Sequence, residues 1–164
     1  MGNTTLRPFS TGGSLLEFFN IKTPVLRYNL VHPLARRPQK SSEFSAGFDI
    51  ASVDHVCVPP WEQRLINTGI EFRAPEGCFL KISPRSGFSL HTNTSVMAGI
   101  FDLDYTSSLS ILIYNHSNEE IMIVPGDRIA QIIPVRIKYP LLKEVSNLPT
   151  TTRGINGFGS SGLA

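Results

Sequence analysis

Twelve prolines and thirteen glycines interrupt this chain of 164 residues and leave little room for a long helix. Proline lacks a backbone donor and glycine loses much conformational freedom inside regular structure, so both residues favour turns. The segments between them are short and apolar, and several alternate in polarity. Short strands at fairly regular spacing are typical of an all-β fold. We therefore predict an all-β barrel or sandwich of the jelly-roll kind.

Four stretches contain the β-branched and aromatic residues expected of strands, and turn residues separate them: 65–72, 78–82, 110–114 and 121–124. A longer apolar run, 129–139, contains Pro134, where we expect the strand to break. We divide the chain into an N-terminal extension (1–22), a barrel domain (23–150) and a flexible glycine-rich C-terminal arm (151–164).

The composition restricts the partners of the chain. Hydrophobic residues make up 41% and charged residues 17% of the sequence, which fits one globular domain with a core. The formal net charge of +2 predicts no stable binding to nucleic acid or to an anionic membrane. The N-terminus resembles neither a signal peptide nor a membrane span. We therefore expect an intracellular protein of the nucleus or cytoplasm, not a secreted one.

Metal-ligating residues form no recognisable motif in the sequence. Cys57 and Cys78 lie in strand-like contexts without a Cys-x-x-Cys spacing, so we interpret them as structural thiols. The four histidines are scattered, and we assign none of them a role.

The segment 153–162 has a composition that suits a nucleotide. It contains Arg153, Phe158, Ser160 and Ser161 among four glycines. An arginine can bind a phosphate, an aromatic ring can stack on a base, and hydroxyl and backbone N–H groups can hold phosphate oxygens. The same composition fits a flexible tail, and this segment alone leaves both interpretations open.

Two earlier segments place a single charge near a glycine. Asp49 lies two residues after Gly47 among apolar residues, where a carboxylate is costly unless it is paired or capped. Arg85 follows Pro84, and Ser86 could cap a short helix whose N-terminus would bind an anion. Each segment is also compatible with an ordinary polar turn.

Asp102 and Asp104 alternate with large apolar residues, so in an extended segment both carboxylates would share one face. Such a pair is tolerated where a cation or a water to be activated lies between the carboxylates. Tyr105 adds a stacking ring. The alternative is a hairpin whose polar face is solvated.

A turn at 126–128 leads into an apolar strand. Asp127 and Arg128 could form a structural ion pair there. Gln131 is a polar residue within the apolar strand, so it needs a buried partner or a ligand.

Together and in this order, these five segments resemble the five motifs of the homotrimeric dUTPases (deoxyuridine 5'-triphosphate nucleotidohydrolases), a family with viral members. The resemblance covers about residues 23–162. It implies a jelly-roll β-barrel that forms a homotrimer with exchange of the C-terminal arm. It also implies hydrolysis of dUTP to dUMP and pyrophosphate, with Mg²⁺ held mainly by the triphosphate.

The resemblance further implies a role for each matching residue. Asp102 would position and deprotonate the water that attacks the α-phosphorus, and Asp49 would contact Mg²⁺ through water. Tyr105 would lie under the deoxyribose, main-chain groups of 99–101 would read the uracil edge, and Phe158 would stack on uracil. The implied substrate-binding residues are Arg85, Ser86, Gly87, Gly99, Ile100, Phe101, Tyr105, Gln131, Arg153, Phe158, Gly159, Ser160 and Ser161.

Four positions depart from the family pattern. Thr106 and Ser107 stand where Arg or Gln and then Gly are usual, and Ser110 and Asn156 replace common glycines. No implied catalytic group is lost, so we expect an active enzyme. One alternative is a dUTPase-like signalling or interaction module with lost or secondary catalysis. The other is a relative of the dCTP deaminases, although the sequence offers no candidate acid or base for that chemistry.

Overall fold

The computed structural model describes residues 24–154, so the predicted extension (1–22) and most of the predicted arm lie outside it. Strands and one short helix follow each other within this range, which confirms the all-β prediction. The elements are β1 (Arg27–Leu30), β2 (Phe48–Ala51), β3 (Val56–Val58), β4 (Gln63–Asn67), β5 (Ile70–Arg73), β6 (Cys78–Pro84), α1 (Ser86–Thr92), β7 (Thr94–Met97), β8 (Ile100–Phe101), β9 (Ser110–Asn115), β10 (Ile121–Ile123) and β11 (Arg128–Arg136). The described part of the chain has no helix long and apolar enough to cross a membrane.

The strands form two larger sheets and two ribbons around one core. The four-stranded sheet has the order β2-β11-β6-β8, and the three-stranded sheet has the order β4-β9-β7. The ribbons are β1-β5 and β3-β10, and every described pairing is antiparallel. Both sheets and both ribbons contribute fully buried side chains to a single cluster, as expected of the predicted barrel. These include Ile50, Ile66, Ile70, Leu80, Ile111, Ile113, Ile123 and Ile132.

Two strand boundaries differ from the prediction. The stretch 65–72 is two strands, because Gly69 takes a φ of +65° between β4 and β5 and turns the chain. The predicted break at Pro134 is wrong, since β11 continues to Arg136. Pro134 pairs with Leu80 on β6, whereas the pairing of β11 with β2 ends at Ile132. One side of β11 is therefore an edge at Pro134, where a missing N–H is tolerated.

Both cysteines are free thiols in the fold. Cys78 is buried, and Cys57 is half-buried on β3. Partial burial and the neighbouring Glu120 carboxylate both raise the pKa of the Cys57 thiol, with burial as the larger cause. The thiolate is the reactive form, so Cys57 is a weak nucleophile at neutral pH.

Asn115 is a buried polar residue that joins the end of β9 to two neighbouring loops. Its side-chain amide donates to the carbonyl oxygens of Val58, Pro59 and Glu119 at 3.0, 3.1 and 2.7 Å. Its Oδ1 accepts the backbone N–H and the hydroxyl of Ser117 at 2.8 and 2.7 Å. Every hydrogen-bonding group of this side chain is used, which makes it a fixed point of the barrel.

We expect Asn115→Ala to lower the free energy of unfolding by about 2–4 kcal/mol, because it leaves buried carbonyl groups without donors. Urea unfolding followed by circular dichroism measures this loss. Asn118→Ala is the matched control, because Asn118 is exposed and accepts one bond, from the Trp61 indole at 3.0 Å. Equal losses in the two variants would contradict the structural role assigned to Asn115.

Candidate active site

A row of polar side chains crosses the four-stranded sheet on its outer face. Asp49 on β2 pairs with Gln131 on β11, and Gln131 pairs with Ser83 on β6. A backbone bridge adds Gln39 beside Asp49. Residues directly opposite each other in antiparallel strands share a face, so these side chains are neighbours. The pairing thereby brings together the segments of Asp49, Arg85 and Gln131, which the sequence singled out separately.

The Asp49 carboxylate is buried and pairs with two guanidinium groups. Arg85 Nε lies 2.8 Å from Oδ1, and Arg128 Nη1 lies 3.3 Å from Oδ2. The Ser41 hydroxyl donates to Oδ2 at 3.3 Å. The predicted ion pair between Asp127 and Arg128 is wrong, because Asp127 instead accepts the Val124 N–H at 2.9 Å within its own turn. One carboxylate and two guanidiniums leave this cluster with a net positive charge, which suits an anion.

A β-bulge aims Arg128 at Asp49. In a regular strand, residues three apart face opposite sides of the sheet, yet Arg128 and Gln131 both reach the Asp49 side. The register between β11 and β2 shifts between Arg128 and Ala130. As a result Ile129 and Ala130, which are neighbours in sequence, are both buried.

Gln131 finds a partner in the fold, as the sequence predicted for a polar residue in this strand. Its Nε2 donates to the Pro84 carbonyl oxygen at 2.9 Å, next to Arg85. Its Oε1 occupies the space above Gly47, where an added Cβ would lie only 2.5 Å from that oxygen. Gly47 therefore makes room for the Gln131 amide.

The predicted cap at Ser86 is wrong by one residue. Arg85 is the N-cap of α1, with φ −96° and ψ 127°, and no side chain caps this end. The Arg85 carbonyl oxygen accepts the Ser89 N–H at 2.9 Å, and Arg85 Nη1 donates to the Arg128 carbonyl oxygen at 3.0 Å. Ser86 and Gly87 are exposed in the first turn.

A cavity of about 510 Å³ lies beside the Asp49 cluster. Its walls include Arg36, Arg37 and Arg128, together with Gln39 and Asp49. Arg36 Nη1 donates to the Gly126 carbonyl oxygen at 3.3 Å, in the turn before Arg128. The sequence did not assign Arg36 and Arg37 to a site. Only the long-range pairing of 39 with 49 brings them there.

Asp102 and Asp104 do not lie in an extended segment with a shared face; their exposure is closer to the alternative, in which the polar groups are solvated. The strand β8 ends at Phe101, and the Tyr105 N–H donates to the Asp102 carbonyl oxygen at 3.3 Å. The two aspartates thus belong to a tight turn and are both exposed. The turn follows from the short pairing of β8 with β6, which covers only Ile100 and Phe101.

Asp102 and Tyr105 line a second cavity of about 250 Å³ whose other walls are largely apolar. The Tyr105 ring is 48% exposed and packs edge-on against Phe101, with centroids 4.9 Å apart. The Phe101 side chain is buried, and the Ile100 side chain is exposed. The Gly99 carbonyl oxygen accepts the Ile82 N–H at 2.8 Å. An aromatic face beside a carboxylate suits a ligand with a flat or sugar-like surface and an adjacent reactive group.

The two cavities share no lining residue. Ser83 lies in the outer polar row, whereas the next residue toward the N-terminus, Ile82, faces the core and lines the second cavity, which we call the Asp102 cavity. Consecutive strand residues point to opposite faces. Within one chain, the Asp49 cluster and the Asp102 cavity therefore open on different sides of the four-stranded sheet.

The described chain ends in a small turn, 151–154, which contains Arg153. Arg153 is exposed, and the Gly154 N–H donates to the Thr151 carbonyl oxygen at 3.0 Å. The predicted substrate-binding residues Phe158, Gly159, Ser160 and Ser161 lie outside the described residues.

We expect Gly47→Ala to displace the Gln131 amide and to lower the free energy of unfolding by about 1–3 kcal/mol, because the new methyl group has no space. Thermal unfolding and a crystal structure of the variant measure both effects. Gly87→Ala is the stability control, because a Cβ at Gly87 meets no atom within 4 Å. An unchanged Gln131 hydrogen bond in Gly47→Ala would refute this account.

Comparison with known proteins places these observations in a family. The family model for dUTPase matches residues 35–162. A deoxyuridine 5'-triphosphate nucleotidohydrolase of Camelpox virus (strain CMS) is 40% identical over 144 residues, which cover 88% of this chain and 97% of the viral protein.

Two solved structures show the same fold. The Staphylococcus bacteriophage 80alpha dUTPase with dUPNHPP is 31% identical and has a TM-score of 0.80, and the match covers 86% of this chain and 100% of the phage chain. A variant of the dUTPase from phage phi11 of S. aureus, described with a structural Mg(II) ion, is 27% identical with a TM-score of 0.71 over 77% of this chain and 99% of that chain. The resemblance carried by the five segments is confirmed, and the chain belongs to the dUTPase family.

Proposed function

We propose that this protein hydrolyses dUTP to dUMP and pyrophosphate. The observation that carries the proposal is that Asp102 lines the second cavity beside Tyr105. The Asp102 carboxylate forms no salt bridge within residues 24–154, so it is available to accept a proton. Membership of the dUTPase family supports dUTP as the substrate.

The phosphate-binding side of the site is built on the Asp49 cluster. Arg85 uses Nε to bind Asp49 and Nη1 to bind the Arg128 carbonyl oxygen, so its guanidinium plane is fixed while other N–H donors remain open. A fixed guanidinium loses little entropy when it binds a phosphate. We assign Arg85, Ser86, Gly87 and Gln131 to the triphosphate, with Arg153 added from the arm.

The donor set is compatible with Mg²⁺ held mainly by the triphosphate. The described residues contain no group of three or more His, Cys, Asp or Glu side chains that could hold a metal ion by themselves. Asp49 keeps one free acceptor position, on Oδ1, because Oδ2 already accepts from Ser41 and Arg128 and a carboxylate has about four lone-pair sites. It would contact the ion through water. When bound, Mg²⁺ would neutralise charge on the phosphates.

Asp102 acts as the general base in this proposal. It accepts a proton from water, and the water oxygen bonds to the α-phosphorus. The bond from that phosphorus to the bridging oxygen breaks, and pyrophosphate leaves with the bonding electrons. Tyr105 holds the deoxyribose against its ring, and Phe101 supports that ring from the core. Positioning the water and the phosphorus together removes much of the entropic barrier.

We propose that a complete site requires more than one chain and that the protein forms a homotrimer with exchange of the C-terminal arm. The Asp49 cluster and the Asp102 cavity open on different sides of one sheet, which supports combining the former from one chain with the latter from another. Residues 137–150 are exposed and include the apolar Leu141 and Leu142. Such side chains favour packing against a second copy.

We expect Asp102→Asn to lower kcat for dUTP by at least about 100-fold with little change in KM, because it removes the base but keeps the side-chain shape. Pyrophosphate release with Mg²⁺ measures the rate. Asp104→Asn, which removes a carboxylate from the same turn, controls for the loss of charge. If Asp104→Asn abolished turnover and Asp102→Asn did not, the base would be misassigned. Without pyrophosphate release by the unmodified protein, the proposed function would fail.

Subunit mixing tests the shared site. We expect Arg85→Ala and Asp102→Asn each to be inactive alone, and activity to return when the two are denatured together and refolded. Mixed trimers would contain sites that draw an intact Arg85 from one chain and an intact Asp102 from another. Asp102→Asn refolded with itself is the control. No recovery in mixed trimers, confirmed as trimers by light scattering, would place the whole site in one chain.

A further inference from the structure

The cavity beside the Asp49 cluster contains more positive charge than the fold neutralises. Arg36, Arg37 and Arg128 all line it, and Asp49 is the one carboxylate among its described lining residues. That carboxylate is already paired with Arg85 and Arg128. In the part of the chain that the structure describes, neither Arg36 nor Arg37 forms a salt bridge. Like charges around one space repel each other unless a counter-charge lies between them, so this cavity attracts an anion.

Arg36 is held in place by the turn before β11. Its Nη1 donates to the Gly126 carbonyl oxygen at 3.3 Å. Gly126 has a φ of +97°, and an added Cβ there would collide with the Arg36 guanidinium. The guanidinium therefore rests against the bare backbone of Gly126, two residues before Arg128. A guanidinium that is already positioned loses little entropy when it binds an anion.

The segment 36–38, which contains both unpaired arginines, is fixed at its two ends. Before it, a backbone hydrogen bond of 3.0 Å closes a turn at 32–35. After it, Gln39 and Asp49 exchange backbone hydrogen bonds at 3.4 and 2.7 Å. The Arg37 side chain forms no hydrogen bond to any other residue that the structure describes, so its donors are open to a ligand.

The cavity is separate from the residues assigned to the triphosphate, since its described lining contains none of them. Gln131 lies opposite Asp49 on β2, whereas Arg128 lies opposite Ala51. Two residues along a strand span about 7 Å. The cavity thus extends along the sheet away from Gln131. An anion in the cavity lies next to the triphosphate residues without taking their place.

We propose that Arg36 and Arg37, together with Arg128, form a second anion site that binds pyrophosphate or an anion of the same class. Three guanidinium groups offer many more donors than one paired carboxylate can accept, which favours a multivalent anion with several oxygens. A cavity of about 510 Å³ has room for two linked phosphate groups. The site goes beyond the proposed function, although that function supplies such an anion, because pyrophosphate is released from the neighbouring phosphate-binding residues.

Calorimetric titration of the full chain with inorganic pyrophosphate tests this site. The protein is first saturated with the dUTP analogue dUPNHPP, without added Mg²⁺, so that the triphosphate residues are occupied. We expect the unmodified protein to bind pyrophosphate, and the double variant Arg36→Ala/Arg37→Ala to raise its Kd by at least about 10-fold, because charge-assisted hydrogen bonds are lost. We expect Arg37→Ala alone to raise Kd by about 5-fold or more. This single variant keeps the contact between Arg36 and Gly126, so its loss of affinity is not a folding defect.

Arg27→Ala/Arg73→Ala is the matched control, because it removes the same charge elsewhere. Arg27 and Arg73 are exposed, lie opposite each other on β1 and β5, and are outside the lining of this cavity. We expect Kd for pyrophosphate to change by less than about 2-fold, since salt screens distant surface charges. Equal weakening in the two double variants would indicate a general effect of charge and would overturn the inference. No pyrophosphate binding by the saturated, unmodified protein would also overturn it.

The titration measures binding and does not depend on turnover, so it separates this inference from the proposed function. If the protein neither hydrolysed dUTP nor bound dUPNHPP, the free protein and the same variants would be titrated. Binding that is weakened by Arg37→Ala and retained in the control would then support the inference although the proposed function had failed. Binding that Arg37→Ala and Arg36→Ala/Arg37→Ala both leave unchanged would overturn the inference while dUTP hydrolysis stands.

Discussion

The pairing of the buried Asp49 carboxylate with Arg85 and Arg128 is the interaction on which the candidate site depends. A buried charge is tolerated only when it is well paired, so the Asp49 carboxylate depends on its two arginines. Arg85 lies at the start of the helix, and Arg128 lies at the start of β11. One interaction thus joins three distant parts of the chain and leaves net positive charge at the outer face of the sheet. The same pairing is therefore needed both for folding and for anion binding.

The sequence predicted the local features of the fold well. Alternating and β-branched residues identified the strands, because side-chain direction in a strand repeats every two residues. Pro134 was misjudged, since its effect depends on whether a neighbouring strand lies on its N–H side. The turn at Asp102 was also misjudged. The pairing of β8 with β6 ends after two residues, and the sequence alone does not show where it ends.

The sequence singled out Asp49, Arg85 and Gln131, which the fold brings together, but it did not predict most of their contacts. Asp49 was expected to need pairing or capping, yet its second partner, Arg128, is 79 residues away. From the sequence, the adjacent Asp127 was the more obvious partner for Arg128. Arg36 and Arg37 were not identified as site residues. Their position beside Asp49 comes from strand register, which is set by residues far apart in sequence.

The β-bulge in β11 has a consequence for how this family member can change. Arg128 and Gln131 reach the same side of the sheet because the register shifts by one residue between Arg128 and Ala130. Many side chains in this strand could be exchanged for others of similar size without altering that geometry. Straightening the bulge at unchanged length would turn Arg128 toward the core, away from Asp49, because residues three apart in a regular strand face opposite sides. Loss of one residue between Arg128 and Gln131 would instead leave them two apart, and a regular strand would then place both on one face without a bulge. In this strand, the site therefore limits the backbone conformation and the spacing together, and a change in one can be offset by a change in the other.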